Sequence, residues 1–120
     1  MGYSTQYNID AGPFESAEAA EFFEFKVSKE IDEAFEVDIQ QSHGYKHTGK
    51  YYVDLKSEDT KWYEWRADLT KVSTLFPDVT IDVEGKGEET GDIWKARFRN
   101  GDCEVVDAEF MFPPFRILVD

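Results

Sequence analysis

A chain of 120 residues with 26 Asp and Glu against 13 Lys and Arg carries a formal charge of −13. That charge repels nucleic-acid phosphates and anionic membrane surfaces, and it draws cationic partners. The 41% hydrophobic and 16% aromatic content excludes a disordered acidic chain, which lacks the aromatics to build a core.

Tyr3 to Ile9 alternates apolar and polar side chains and predicts a first strand, with Tyr3, Thr5, Tyr7 and Ile9 on one face and Gly12-Pro13 as its break. Ser16 is placed to cap a helix whose first turn carries Glu18, favourable at the positive end of the helix dipole. From Ala17 to about Phe35 there is neither Gly nor Pro, and Ala20, Phe23, Val27, Ile31 and Ala34 recur at spacings of three and four. At about 100° per residue they fall within an arc of about 80°, the core-facing stripe of a long amphipathic helix. Glu15, Glu18, Glu21, Glu30, Asp32, Glu33 and Glu36 lie outside the stripe, and Phe22 and Phe25 project among these acids. The alternation Phe35-Glu36-Val37-Asp38-Ile39 also supports a shorter helix ending near Lys29, followed by a strand.

Gln40 to Lys50 is polar and turn-like around Gly44 and Gly49. Tyr51 to Leu55 and Lys61 to Trp65 are aromatic-rich strand candidates, separated by the polar turn Ser57-Glu58-Asp59-Thr60. Arg66 to Phe76 predicts a second helix with Leu69, Val72 and Leu75 on one side, stopped by Pro77. Val79, Ile81 and Val83 alternate as a strand, and Gly85 to Gly91 forms a loop. Ile93 to Phe98 and Cys103 to Phe112 are the last strands, joined through Asn100-Gly101, a strong hairpin signal. This order predicts a single α+β domain over 1–120, an antiparallel sheet with two helices packed on one face.

The stretch Phe76-Pro77-Asp78-Val79-Thr80-Ile81-Asp82-Val83-Glu84-Gly85-Lys86-Gly87-Glu88-Glu89-Thr90-Gly91-Asp92-Ile93-Trp94-Lys95 resembles a segment of small uncharacterised phage and plasmid proteins. In that family a Pro-stopped helix leads to a strand, a Gly-x-Gly-Glu-Glu-x-Gly-Asp-Ile-Trp hairpin and an aromatic-basic strand ending in Asn-Gly. The opening Met1-Gly2-Tyr3-Ser4-Thr5-Gln6-Tyr7 is similar as well. The resemblance covers about half the chain, mainly residues 61–112. It implies a ferredoxin-like α+β fold and a mobile-element setting, and it carries over no catalytic residues. The acidic segment at 15–36 and the insertion around His43 to Lys50 depart from the shorter members.

Candidate chemistry is sparse. Gly85-Lys86-Gly87 precedes Glu88-Glu89 and a strand, whereas a phosphate loop needs Gly-Lys-Ser/Thr opening a helix; it reads as a tight turn. His43 and His47 have helical ligand spacing, but Gly44 and Gly49 argue against a helix there. Glu84, Glu88, Glu89 and Asp92 cluster without the order of a calcium loop. Cys103 is the single cysteine; it reads as a small strand residue and points to a reducing compartment. Trp62, Tyr63, Trp65 and Trp94 could stack bases or sugars, yet nucleic-acid platforms interleave aromatics with cations. Lys95, Arg97 and Arg99 form a basic row on one strand, expected to offset acidic strands beside it.

No apolar run approaches the ~20 residues that cross a bilayer, and Met1 to Thr5 lacks the basic flank and apolar core of a signal peptide. The expectation is a cytoplasmic, non-enzymatic protein without metal or cofactor. Its partner is expected to be a basic host protein rather than nucleic acid or membrane. The expected contact residues are Glu15, Glu18, Glu21, Asp32, Glu33 and Glu36, with Phe22 and Phe25 as apolar anchors. Inhibition of a nucleic-acid-binding defence protein by DNA mimicry, of anti-CRISPR or anti-restriction type, is the sharpest form of this expectation. The alternative is a structural scaffold that forms a homo-oligomer.

Overall fold

The structure, a computed structural model, describes residues 5–31, 35–42, 49–87 and 92–107. In chain order the elements are β1 (Thr5–Phe14), α1 (Ala17–Ile31), β2 (Glu36–Gln41), β3 (Tyr51–Thr60), α2 (Trp65–Leu75), β4 (Thr80–Gly87), β5 (Ile93–Arg99) and β6 (Asp102–Asp107). The strands form one six-stranded sheet in the order β2-β3-β1-β4-β5-β6, and every pairing is antiparallel. Helix α1 connects β1 to β2 and α2 connects β3 to β4. The expected α+β class with two helices is therefore present, whereas the six-strand order goes beyond a four-stranded ferredoxin-like sheet.

Alternation decides which face of the sheet is covered. Tyr7, Ile9 and Ala11 of β1, Val53 and Leu55 of β3, Ile81 and Val83 of β4, and Ala96 and Phe98 of β5 are all buried. They pair across the ladders in register, so a single apolar face runs through four strands. Both helices pack on that face. The α1 stripe contributes Ala20, Phe23 and Val27, all fully buried, and α2 contributes Leu69 and Val72. Phe14, Phe23 and Phe76 meet with ring centroids 5.3 to 5.7 Å apart and seal the junction of the two helices with β1. Ser16 caps α1 as its position suggests, its Oγ accepting the Ala19 N–H at 3.1 Å.

Several boundaries differ from the sequence reading. The first helix stops at Ile31 and Glu36 to Gln41 is strand β2, so the shorter of the two readings is the one observed. β1 continues through Gly12-Pro13 to Phe14. Pro13 is tolerated because the ladder is already irregular there: the β1–β3 register shifts between Ala11 and Phe14, and pairing with β4 ends at Gly12. Ser57 to Thr60 is not a turn but the end of β3. Thr60 pairs with Thr5, and its buried hydroxyl donates to Ser57 Oγ at 2.8 Å. The second aromatic run consequently lies outside the sheet, and Trp65 opens α2 instead of ending a strand. Leu75 is exposed, and Ser73 takes the core position expected of it. The β5–β6 turn has Asn100 and Gly101 at φ 46° and 86°, as a two-residue hairpin requires. The Gly101 N–H donates to Ser73 Oγ at 2.8 Å, tying that turn to α2.

Candidate functional site

Among the described residues expected to contact a partner, those on and beside α1 and Glu36 do not share one surface. Glu15, Glu18 and Glu21 are exposed at and just beyond the N-terminal end of α1. Phe22 and Phe25 are 48% and 55% exposed, far more open than the buried stripe beside them. Phe22 rests partly on Phe76, with centroids 5.7 Å apart, and Lys26 Nζ sits 5.2 Å over its ring. Glu15 pairs with Lys50, and Glu24 accepts the Ser28 hydroxyl at 2.9 Å. Lys26 and Lys29 make the later half of α1 less anionic than its beginning. Glu36 belongs elsewhere. It lies on β2 directly opposite Lys56, on the sheet face opposite the one covered by α1 and α2. Asp32 and Glu33 fall outside the described residues.

That face, opposite α1 and α2, holds what the sequence reading missed. The registers place Asp38 of β2 opposite Asp54 of β3, Asp54 opposite Asp10 of β1, and Asp10 opposite Asp82 of β4. The row continues through Arg97 of β5 to Glu104 of β6. Neighbouring strands are about 4.8 Å apart, so four carboxylates stand side by side over about 14 Å. Like charges directly opposite each other are unfavourable. Arg97 relieves one end, its Nε–H donating to Asp82 Oδ1 at 2.7 Å, and this pairing raises the guanidinium above its ordinary range. The basic row of β5 thus meets acidic strands on both sides, with Lys95 opposite Glu84 and Arg97 opposite Glu104.

In the middle of the row the carboxyls interact directly. Partial desolvation pushes Asp10 above the usual carboxylate range. The charge of Asp54 and a hydrogen bond to it add to the rise, and so does the charge of Asp82, while Lys56 opposes it. When protonated, Asp10 donates to Asp54. A shallow cavity of about 440 Å³ lies over this region, bordered by Asn8, Asp10, Asp82, Glu84, Lys95 and Arg97. Among the described residues no group of three or more His, Cys, Asp or Glu is arranged to hold a metal ion. His43 and His47 lie outside the described residues, as do Glu88 and Glu89. Cys103 is half-buried on β6. No described helix is long and apolar enough to cross a membrane.

No protein-family model, curated protein or solved structure matches the chain. The chain is defined by its own geometry as a small α+β domain with an acidic, aromatic patch on α1 and a charged open sheet behind it.

Proposed function

We propose that the chain is a small acidic accessory protein of a phage or other mobile element that binds and inhibits a basic host protein in the host cytoplasm. The observation that carries this reading is the pair Phe22 and Phe25, about half open to water beside Glu18 and Glu21. At an interface, buried rings supply most of the affinity, while surrounding charge selects the partner and speeds encounter. A nucleic-acid-binding defence protein is the sharpest form of the partner, its cationic groove taking the carboxylates in place of phosphates. Direct binding of nucleic acid or an anionic membrane is disfavoured by the charge of −13. The same proposal includes a ferredoxin-like relationship, in which β1-α1-β2-β3-α2-β4 is the shared unit and β5 and β6 extend it.

The test is affinity capture from host lysate at low and at high salt, comparing the native chain with Glu18→Lys/Glu21→Lys. The expected result is a basic partner that is captured at low salt and lost in the variant, whose circular dichroism stays native. Equal capture by both proteins would refute the contact surface. The second reading is a homo-oligomeric scaffold. It is favoured by β2 and β6, which end the sheet with Val37 and Val106 exposed. A solution mass of two or more chains, without any partner, would decide for it.

A further inference from the structure

Helix α1 turns its buried stripe, Ala20, Phe23 and Val27, toward the sheet. On its opposite side Glu18, Phe22, Phe25 and Lys29 recur at spacings of four, three and four, and all four are exposed. At about 100° per residue they fall within an arc of about 60°, a line pointing away from the sheet. Alternating spacings of four and three are those by which two helices pack along a common seam. The rings of Phe22 and Phe25 stay about half open even though Phe22 rests on Phe76. Among the described side chains, neither Glu18 nor Lys29 makes an ion pair.

The line is bipolar, with an acid at one end, a base at the other and two rings between. A uniformly basic surface meets Glu18 but leaves Lys29 against like charge. A second copy laid parallel sets Glu18 against Glu18 and Lys29 against Lys29. Laid antiparallel, it sets Glu18 against Lys29 at both ends and Phe22 against Phe25 in the middle. One two-fold axis satisfies all four positions, because Glu18 lies four residues before Phe22 and Lys29 four residues after Phe25. Glu21 and Lys26 stand on the two flanks of the line, where each meets its own copy diagonally; these like-charge contacts oppose the pair. The charge of −13 on each chain opposes it too, although at about 0.15 M salt that repulsion is screened beyond about 8 Å. The pairing is therefore weak and reversible.

We propose that α1 is a self-recognition surface, pairing antiparallel with α1 of a second copy through Glu18, Phe22, Phe25 and Lys29. The inference stands without the host-partner reading and goes beyond it: self-association and capture of a host protein exclude each other, because both cover Phe22 and Phe25. Sedimentation equilibrium of the whole chain from about 10 µM to about 1 mM, at about 0.15 M salt, tests it. The expected result is a mass that rises from one chain to two and no further. Glu18→Lys and Lys29→Glu should each weaken dimerisation at least about tenfold, since each opposes like charges at both ends. Glu18→Lys/Lys29→Glu restores opposite charges and should bring the constant back to within about threefold of native. Phe25→Asp, at an exposed position, should leave a monomer whose circular dichroism is native. Val37→Lys/Val106→Lys should leave the dimer intact, which separates it from a scaffold paired through its sheet edges. A monomer at every concentration, a charge swap that fails to restore pairing, or a dimer lost only in the edge variant would overturn the proposal. A native monomer with capture still dependent on Glu18 and Glu21 sinks the dimer alone. A dimer restored by the swap, with no host protein captured, sinks the partner reading alone.

Discussion

Replacing Asp10 with Asn tests whether the aspartate row is held against its own repulsion. Asp10 stands on a central strand with Asp54 opposite on one side and Asp82 on the other. Desolvation, Asp54 and Asp82 together raise its carboxyl above the ordinary range. The folded state then binds this proton more tightly than the unfolded chain. Its contribution favours folding below the ordinary carboxylate pKa and is lost as the pH rises through the raised folded value. At neutral pH Asp10 therefore opposes folding. Each like-charge pair costs about 0.2–1 kcal/mol. Two pairs, discounted because Asp10 is more than a third exposed, leave about 1 kcal/mol. Asn keeps the shape and can donate to Asp54, so Asp10→Asn should stabilise by about that amount, or about 4 °C in Tm for a domain of this size. The gain should shrink in high salt and fade as the pH falls below about 4. Thermal and urea melts of both proteins across that range of pH and salt measure it. A loss of stability at neutral pH, or a gain that persists unchanged in acid, would refute the reasoning.

Gly85→Ala should destabilise by about 2–3 kcal/mol, because the new methyl displaces Trp94 from its bed and from the Trp65 stack; urea unfolding followed by tryptophan fluorescence reads both effects. The Trp62 indole N–H donates to Asp68 Oδ2 at 2.7 Å, so Asp68→Ala should cost about 2 kcal/mol while Asp68→Asn, which keeps an acceptor, recovers most of it. Tyr7, whose hydroxyl donates to the Trp62 carbonyl at 3.1 Å, is pushed up to about 12 by burial, partly offset by Thr5. Ultraviolet titration should find a tyrosine ionising step at about 12, and Tyr7→Phe should remove it. Stability from that site is fully present below the ordinary tyrosine pKa of about 10 and is lost as the pH rises through the folded value.

The fold was most legible where local patterns were strong. The buried stripe Ala20, Phe23, Val27 and the alternation of Tyr7 and Ile9 or Ile81 and Val83 point inward as periodicity requires. Asn100-Gly101 makes its hairpin. Legibility failed where a non-local partner decides. Ser57 to Thr60 has turn composition, yet pairing with β1 holds it extended, and Gly12-Pro13 interrupts a ladder without ending its strand. The helix end was ambiguous because Ile31 and Ala34 continue the helical stripe while Phe35 to Ile39 alternates as a strand; the neighbouring strand β3 and Trp62, 6.4 Å from Phe35, favour the strand. For the candidate site, the acids and rings of α1 could be read directly. The aspartate row could not, since Asp10, Asp38, Asp54 and Asp82 come from four separate segments and only the strand order makes them neighbours. Asp38, Asp54 and Asp82 were still readable as the polar half of an alternating strand, whereas Asp10 lay just past the expected end of the first strand at Ile9.

That strand order also limits what mimicry can mean. The α1 carboxylates and the aspartate row lie on opposite sides of the sheet, so no flat cationic groove contacts both at once. Within the row, one charge falls every 4.8 Å or so, against one per roughly 1.7 Å of axis in duplex DNA. The row thus has about a third of the duplex's charge density, and Arg97 neutralises part of it. On α1, Lys26 and Lys29 interrupt the acids within three turns. A protein built to fill a long duplex-binding cleft would need denser carboxylates on one face. Under the proposed reading, a nucleic-acid-binding partner would therefore be met at a few discrete cations of its groove, beside Phe22 and Phe25, and not along the groove's whole length. Such binding should weaken with salt by a small number of charges, far less steeply than a protein–duplex complex. A salt slope for the captured partner approaching that of DNA would count against this form of recognition and in favour of extended mimicry.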